Sequence, residues 1–233
     1  MSLNDNQYME DVPVLNEELL GILNQYVEFM RHPNFAEYMH LASSQHKDNR
    51  DYWVGERHMR EILELEDRHE GFPDEMYGYE VSVGRVGHQF FDKDAPASYK
   101  RDATMQLANL NNQIMQWLGV KHNALTAVYP PGGFISWHNN ANASAYNLIF
   151  SWSETGDGWF KYVDPTTKEV VTMNDHTGWQ CKAAYFGHYG EPESLFYHAA
   201  SSDCWRITVS FTLDTSELSG EFREMILEDI KTP

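Results

Sequence analysis

His138 and Asn140 stand two residues apart at the end of the stretch YPPGGFISWHNN, Tyr129 to Asn140. Side chains two apart in an extended chain share a face, so an imidazole and an amide oxygen here make a compact two-donor arrangement for a metal ion. Strict alternation puts Phe134, Ser136, His138 and Asn140 on one face and Ile135, Trp137 and Asn139 on the other. A second histidine, His198, lies in the apolar run LFYHAAS. A buried imidazole needs a partner, and a metal shared with His138 supplies one. A hydrogen-bonded structural role is the alternative for each histidine. Eight residues after His198 comes Arg206, in WRITVSFTLD. Trp205, Ile207, Val209, Phe211 and Leu213 alternate there with Arg206, Thr208, Ser210 and Thr212, the pattern of a strand with one apolar and one polar side.

The elements that must position these residues are legible as a change of period. From Ala124 onward the apolar residues repeat every two positions. LTAVYP, FISWHN, AYNLIFSW, WFKYVD, EVVTMN, QCKAAYFG, LFYHAAS and WRITVSFTL are eight short strand candidates, with Gly132-Gly133, Gly156-Asp157-Gly158 and Asp164-Pro165 as punctuation. Strands of this number and spacing predict a closed barrel or a two-sheet jelly roll. The first 120 residues read as helical instead. Leu19, Leu23, Tyr26 and Met30 share a helix face, with Asn16 as N-cap and Pro33 beyond the end. Met59, Ile62 and Leu63 mark a second helix, closed by Gly71 and Pro73. Met105, Leu107, Leu110, Ile114, Trp117 and Leu118 mark a third, with Gly119 at the C′ position. We therefore expect one continuous domain: a helical elaboration over 1–120 packed on one sheet, a β core over 121–215, and a loop with a short helix over 216–233.

Composition narrows the function classes. The chain has 233 residues, enough for a substantial core, and 42% of them are hydrophobic. A net charge of -18 disfavours general nucleic-acid binding and association with anionic membranes. No apolar run approaches the roughly 20 residues that span a bilayer, and the start shows no secretory signal pattern. Cys181 and Cys204 do not make a disulfide framework in a chain of this size. The expected compartment is the cytoplasm.

The run from YPPGGFISWHNN through GWQCKAAYFG to YHAASSDCWRITVSF resembles the double-stranded β-helix (cupin-like jelly-roll) core of the Fe(II)- and 2-oxoglutarate-dependent dioxygenases, over about residues 124 to 214. Its flow is most similar to the aspartyl/asparaginyl β-hydroxylase and prolyl-hydroxylase-like branches. The resemblance implies that His138, Asn140 and His198 occupy the metal-ligand positions. It also implies that Arg206 binds the distal carboxylate of 2-oxoglutarate, with its polar stripe, Thr208 and Ser210 included, lining the interior. Tyr129, Ser136, Tyr146 and Asn147 are further candidates for holding the co-substrate, each with a barrel-wall role as the alternative. The implied partners are 2-oxoglutarate, O2 and a peptide, protein or small-molecule substrate. The implied activity is hydroxylation of an unactivated C–H bond with release of succinate and CO2. His188 competes with His198 as the distal ligand. His122, His176 and the histidines of the first half read as surface residues, and the tryptophans as packing.

Asn140 departs from the family pattern, which has Asp or Glu at that position. It serves as a neutral, weak ligand, or leaves the position to water that it orients, or marks a degenerate module that binds a ligand or partner without turnover. Glu154 or Asp157 swinging in, and a halide at the site, are minor branches. A cupin-type metalloenzyme that does not use 2-oxoglutarate is a further alternative.

Overall fold

The computed structural model describes residues 8–42, 47–81, 90–141, 144–213 and 219–233. The N-terminal part contributes β1 (Glu10–Pro13), α1 (Glu17–Arg31), α2 (Pro33–Tyr38), α3 (Arg50–Trp53), α4 (Glu56–Leu65), β2 (Met76–Tyr77), β3 (Tyr79–Glu80) and α5 (Ala97–Leu118). All eight strand candidates of the second part form strands. They are β4 (His122–Tyr129), β5 (Gly133–His138), β6 (Ala145–Ser153), β7 (Gly158–Val163), β8 (Val170–Asn174), β9 (Gly178–Phe186), β10 (His198–Ser202) and β11 (Arg206–Leu213). A closing helix, α6, spans Ser219–Lys231; part of the predicted loop before it lies outside the described residues.

The strands form two sheets, one in the order β1-β9-β6-β11-β4-β3 and the other in the order β2-β5-β10-β7-β8. Every pairing between them is antiparallel, and the architecture is the expected jelly-roll-like core with helices. Alternation decides what each face of the larger sheet meets. Leu148, Phe150, Cys181, Ala183, Ile207, Val209 and Phe211 point to the helix side, against Leu19 and Leu23 of α1, Leu107, Leu110 and Ile114 of α5, and Ile226 and Ile230 of α6. Ala127, Tyr129, Ile149, Ala184 and Phe186 take the opposite parity and meet Ile135, Phe160, Phe196 and Ala200 across the space between the sheets.

The helix ends follow local chemistry. The Asn16 side-chain oxygen accepts from the Leu19 amide at 3.1 Å, capping α1, and Gly119 ends α5 with φ 67. The predicted second helix is broken in two at Gly55, where a Cβ would run into the Asp51 carbonyl. Two features add to the sequence reading. The short strands β1, β2 and β3, in the part read as helical, extend both sheets. The helices also cover both sheets, because Met59 and Ile62 of α4 pack on Trp137, Val163 and Ala199 at the back of the smaller one. Among the described residues no helix is long and apolar enough to cross a membrane.

Candidate functional site

Between the sheets lies a cavity of about 440 Å³. The turn that leads into it is built from Pro130 to Gly133: Gly132 has φ 81, and the Gly133 amide donates to the Pro130 carbonyl at 2.7 Å. A Cβ at Gly133 would press on that carbonyl, so the turn needs its glycine. The turn launches β5, which pairs with β10 so that His138 lies directly opposite His198. The register slips between that pair and the Ala200–Ile135 pair, so β5 carries an extra residue. This bulge overturns the strict alternation expected from the sequence. Ile135 and His138, three apart, both line the cavity, whereas Ser136 does not.

The two imidazoles are buried with ring centroids 4.1 Å apart. Nδ1 of His138 lies 2.8 Å from the Ser136 carbonyl, and Nδ1 of His198 lies 3.4 Å from the Phe196 carbonyl. A carbonyl only accepts, so each Nδ1 carries the proton and each Nε2 keeps its lone pair. Burial pushes the His138 pKa down to about 4. Burial, reinforced by His138, holds that of His198 well below the ordinary value. Two adjacent neutral imidazoles with free Nε2 lone pairs and their tautomers fixed by backbone carbonyls are suited to a metal ion.

Asn140 lines the same cavity. It and Ala141 adopt left-handed conformations, with φ 63 and 59. The Gly71 carbonyl, from the far side of the chain, fixes this turn by accepting from the amides of Asn139 and Ala141, each at 3.2 Å. The Asn139 side-chain oxygen also accepts from the Ala141 amide at 3.0 Å. Gly71 has φ 83, and a Cβ on it would overlap the Ala141 backbone. Phe72, Pro73 and Met76, just beyond Gly71, wall the cavity. Among the described residues no group of three or more His, Cys, Asp or Glu is arranged to hold a metal ion. The side chain that accompanies the histidine pair is an amide.

Arg206 enters from the larger sheet, buried to 1% exposure. Its Nε donates to Asp175 Oδ2 at 2.7 Å, one terminal nitrogen donates to the Thr208 hydroxyl, and the other donates to Ser151 Oγ at 3.0 Å. The guanidinium carbon stands 5.9 Å from the centre of the Tyr129 ring. Asp175 in turn lies 3.5 Å from the Lys182 ammonium, and both side chains are enclosed. The Arg206 and Lys182 cations hold the Asp175 carboxyl below its usual range against the opposing effect of burial.

The sequence-predicted residues divide cleanly by position. His138, Asn140, His198, Arg206, Tyr129, Asn147 and Thr208 line one cavity, with Ser210 beside them. Tyr146 does not: it takes the helix-facing parity, packs against that core and carries the Arg223 guanidinium over its ring at 5.0 Å. Ser136 turns to the neighbouring chain segment, where its hydroxyl accepts from the Glu75 amide at 3.1 Å. His188 lies in the loop after β9 with its Nδ1 accepting from the Gly190 amide, away from the cavity. Glu154 and Asp157 are exposed.

The sequence reading also missed several residues. His58 and His69 are buried, not on the surface, with their Nε2 atoms 3.5 and 3.7 Å from Asp74 Oδ2. Asp175, Lys182 and Ser151 form a polar nest behind Arg206 that the sequence reading does not anticipate, with the buried Gln180 opposite Ser151 in the strand register. A lysine at an interior parity of the apolar strand WQCKAAYF was its visible signal.

No protein-family model and no curated protein sequence matches the chain. Among solved structures, a prolyl-4-hydroxylase of Pseudomonas putida is similar over 89% of this chain and 93% of its own, at 14% identity and a TM-score of 0.43. A viral collagen prolyl hydroxylase from Paramecium bursaria Chlorella virus-1, in its 2OG complex, is similar over 91% and 97%, at 10% identity and a TM-score of 0.36. Similarities this low do not bear on chemistry, which rests on the residues of the cavity.

Proposed function

We propose that the protein is an Fe(II)- and 2-oxoglutarate-dependent oxygenase that hydroxylates a C–H bond in a peptide or protein side chain, releasing succinate and CO2. The observation that carries this reading is one cavity lined by two adjacent neutral histidines from one sheet and a buried arginine from the other. His138 and His198 would hold the metal through Nε2, with Asn140 as a neutral third donor or the orienter of water. Few protein ligands leave positions open for an oxo acid and O2. Bound iron would supply the activation of O2 that is coupled to decarboxylation of the oxo acid.

The chain's own contributions are binding, orientation and exclusion of water. Arg206 offers the terminal N–H groups of a planar guanidinium to the distal carboxylate, a charge-assisted pair strengthened by burial. Asp175, Ser151 and Thr208 fix the plane of that guanidinium. Ile135, Ile149, Phe160 and Phe186 give the cavity apolar walls that keep bulk water from the reacting atoms.

Succinate release from 2-oxoglutarate in air, with Fe(II) and ascorbate, tests the reading. Wild type should release succinate. His138→Ala should abolish release through the metal, and Arg206→Ala should raise the 2-oxoglutarate KM at least about tenfold through the lost ion pair. Asn140 in a carboxylate position favours one second reading, a binding module without turnover. Saturable 2-oxoglutarate binding with no succinate under any condition would select it.

A further inference from the structure

The nest behind Arg206 sets two basic side chains against one acidic one, and all three are enclosed. Arg206 and Lys182 are each 1% exposed and the side chain of Asp175 is fully buried. Asp175 divides its two oxygens between them, Oδ2 to Arg206 Nε at 2.7 Å and Oδ1 to Lys182 Nζ at 3.5 Å. Without Lys182, the Arg206–Asp175 pair is neutral and offers an incoming anion little beyond hydrogen bonds. With Lys182 protonated, the three groups carry one net positive charge, and a buried net charge is costly until a counter-charge arrives. Asp11, opposite Lys182 on β1, is exposed and acts on Lys182 in the same direction as Asp175 but less strongly.

Two further observations say that the described residues do not by themselves satisfy this nest. Among them, the 3.5 Å bond to Asp175 is the one hydrogen bond of the Lys182 ammonium, which has three protons to donate. The side chain of Gln180, also wholly buried, has neither its amide oxygen nor its nitrogen paired among the described residues. Gln180 lies directly across the strand from Ser151, whose hydroxyl accepts from Arg206. Burial lowers the Lys182 pKa and Asp175 opposes that; a bound carboxylate acts in the same direction as Asp175 and keeps the proton in place.

We infer that Lys182 is a positioning residue of the carboxylate subsite: through Asp175 it sets the excess charge that makes Arg206 selective for a carboxylate ligand. The inference rests on the oxygenase reading for the identity of that ligand, 2-oxoglutarate. Lys182 does not line the cavity. Its effect is therefore on charge and on the orientation of Asp175, not on direct contact.

Calorimetric titration of 2-oxoglutarate into the Mn(II)-loaded full chain, without O2, tests the inference. Lys182→Met should weaken binding about tenfold or more while Mn(II) affinity stays unchanged. Lys182→Arg should bind like wild type. Lys182→Gln, neutral but still able to donate a hydrogen bond to Asp175, should weaken binding to the same degree, and it serves as the comparison even where Lys182→Met does not fold. Unchanged binding in Lys182→Met or in Lys182→Gln would overturn the inference. A wild-type protein that takes up Mn(II) but not 2-oxoglutarate would instead remove the oxygenase reading, and this inference with it.

Discussion

Asn140 concentrates the chemistry at the scale of one residue. In the proposed site a neutral amide beside two neutral imidazoles would hold a metal without protein charge, so a divalent cation there would meet no compensating anion until the oxo acid binds. Replacing the amide by a carboxylate adds that anion at nearly the same volume, and aspartate tolerates the left-handed backbone of this position. Asn140→Asp should therefore tighten Mn(II) binding in the absence of oxo acid at least about tenfold, measured by titration with spectroscopic detection of free metal. Unchanged affinity would mean that the side chain at position 140 does not reach the ion. Arg206 is the other decisive residue. In a parity argument it is one polar side chain on a half-exposed strand. In the fold that polar side faces the cavity, and Asp175, Ser151 and Thr208 supply the hydrogen bonds that solvent would give on a surface.

At the scale of elements, the N-terminal part is joined to the site by a backbone clamp. Gly71 reaches the turn at Asn139–Ala141 through one carbonyl that accepts two amides, and α4, which precedes it, is anchored on Trp137. Gly71→Ala puts a Cβ into Ala141 at a φ of 83 and should cost about 1–3 kcal/mol in urea unfolding. It should also weaken metal binding by moving Asn140. Gly21 supplies the control of opposite sign: it sits inside α1, where an added methyl group meets nothing within 4 Å, so Gly21→Ala should gain about 0.5–1 kcal/mol.

These contrasts show what local pattern carries. The eight strands of the second part and the parity of β11 were legible, because burial on one face imposes period two on the residues themselves. The bulge in β5 was not, since FISWH alternates without interruption and only the pairing with β10 reveals the extra residue. That one slip is why Ser136 was assigned to the cavity and Ile135 was not. Tyr146 was misplaced because a tyrosine suits either face of a strand in a core of this aromatic content. β1, β2 and β3 are strands only because sheet edges accept them, and two of them have two residues each. Lys182 and Asp175 pair over seven residues, across a turn whose geometry no short window encodes.

At the scale of the whole molecule, buried histidines tie stability to pH. Burial lowers the pKa of His58, His138 and His198 in the folded, metal-free chain. The unfolded chain therefore takes up these protons first, and folding is favoured fully only above the ordinary histidine value of about 6.5. The contribution is lost as pH falls below that value towards the folded pKa, about 4 for His138. Thermal unfolding in chelator should thus show a Tm that is level above about pH 7 and declines towards pH 5, before most carboxylates titrate. A level Tm over the whole of that range would contradict the burial of neutral histidines.

The two-sheet architecture brings a histidine pair and an arginine from facing sheets into one cavity, and the account stands on that convergence having a ligand. Its most direct test is an anaerobic titration of the purified protein with Fe(II) followed by 2-oxoglutarate, monitored by visible absorbance. The account predicts a weak, saturable charge-transfer band that requires both additions, is absent in His138→Ala, and needs more 2-oxoglutarate in Arg206→Ala. No band with wild type, together with no 2-oxoglutarate binding by calorimetry, would contradict it.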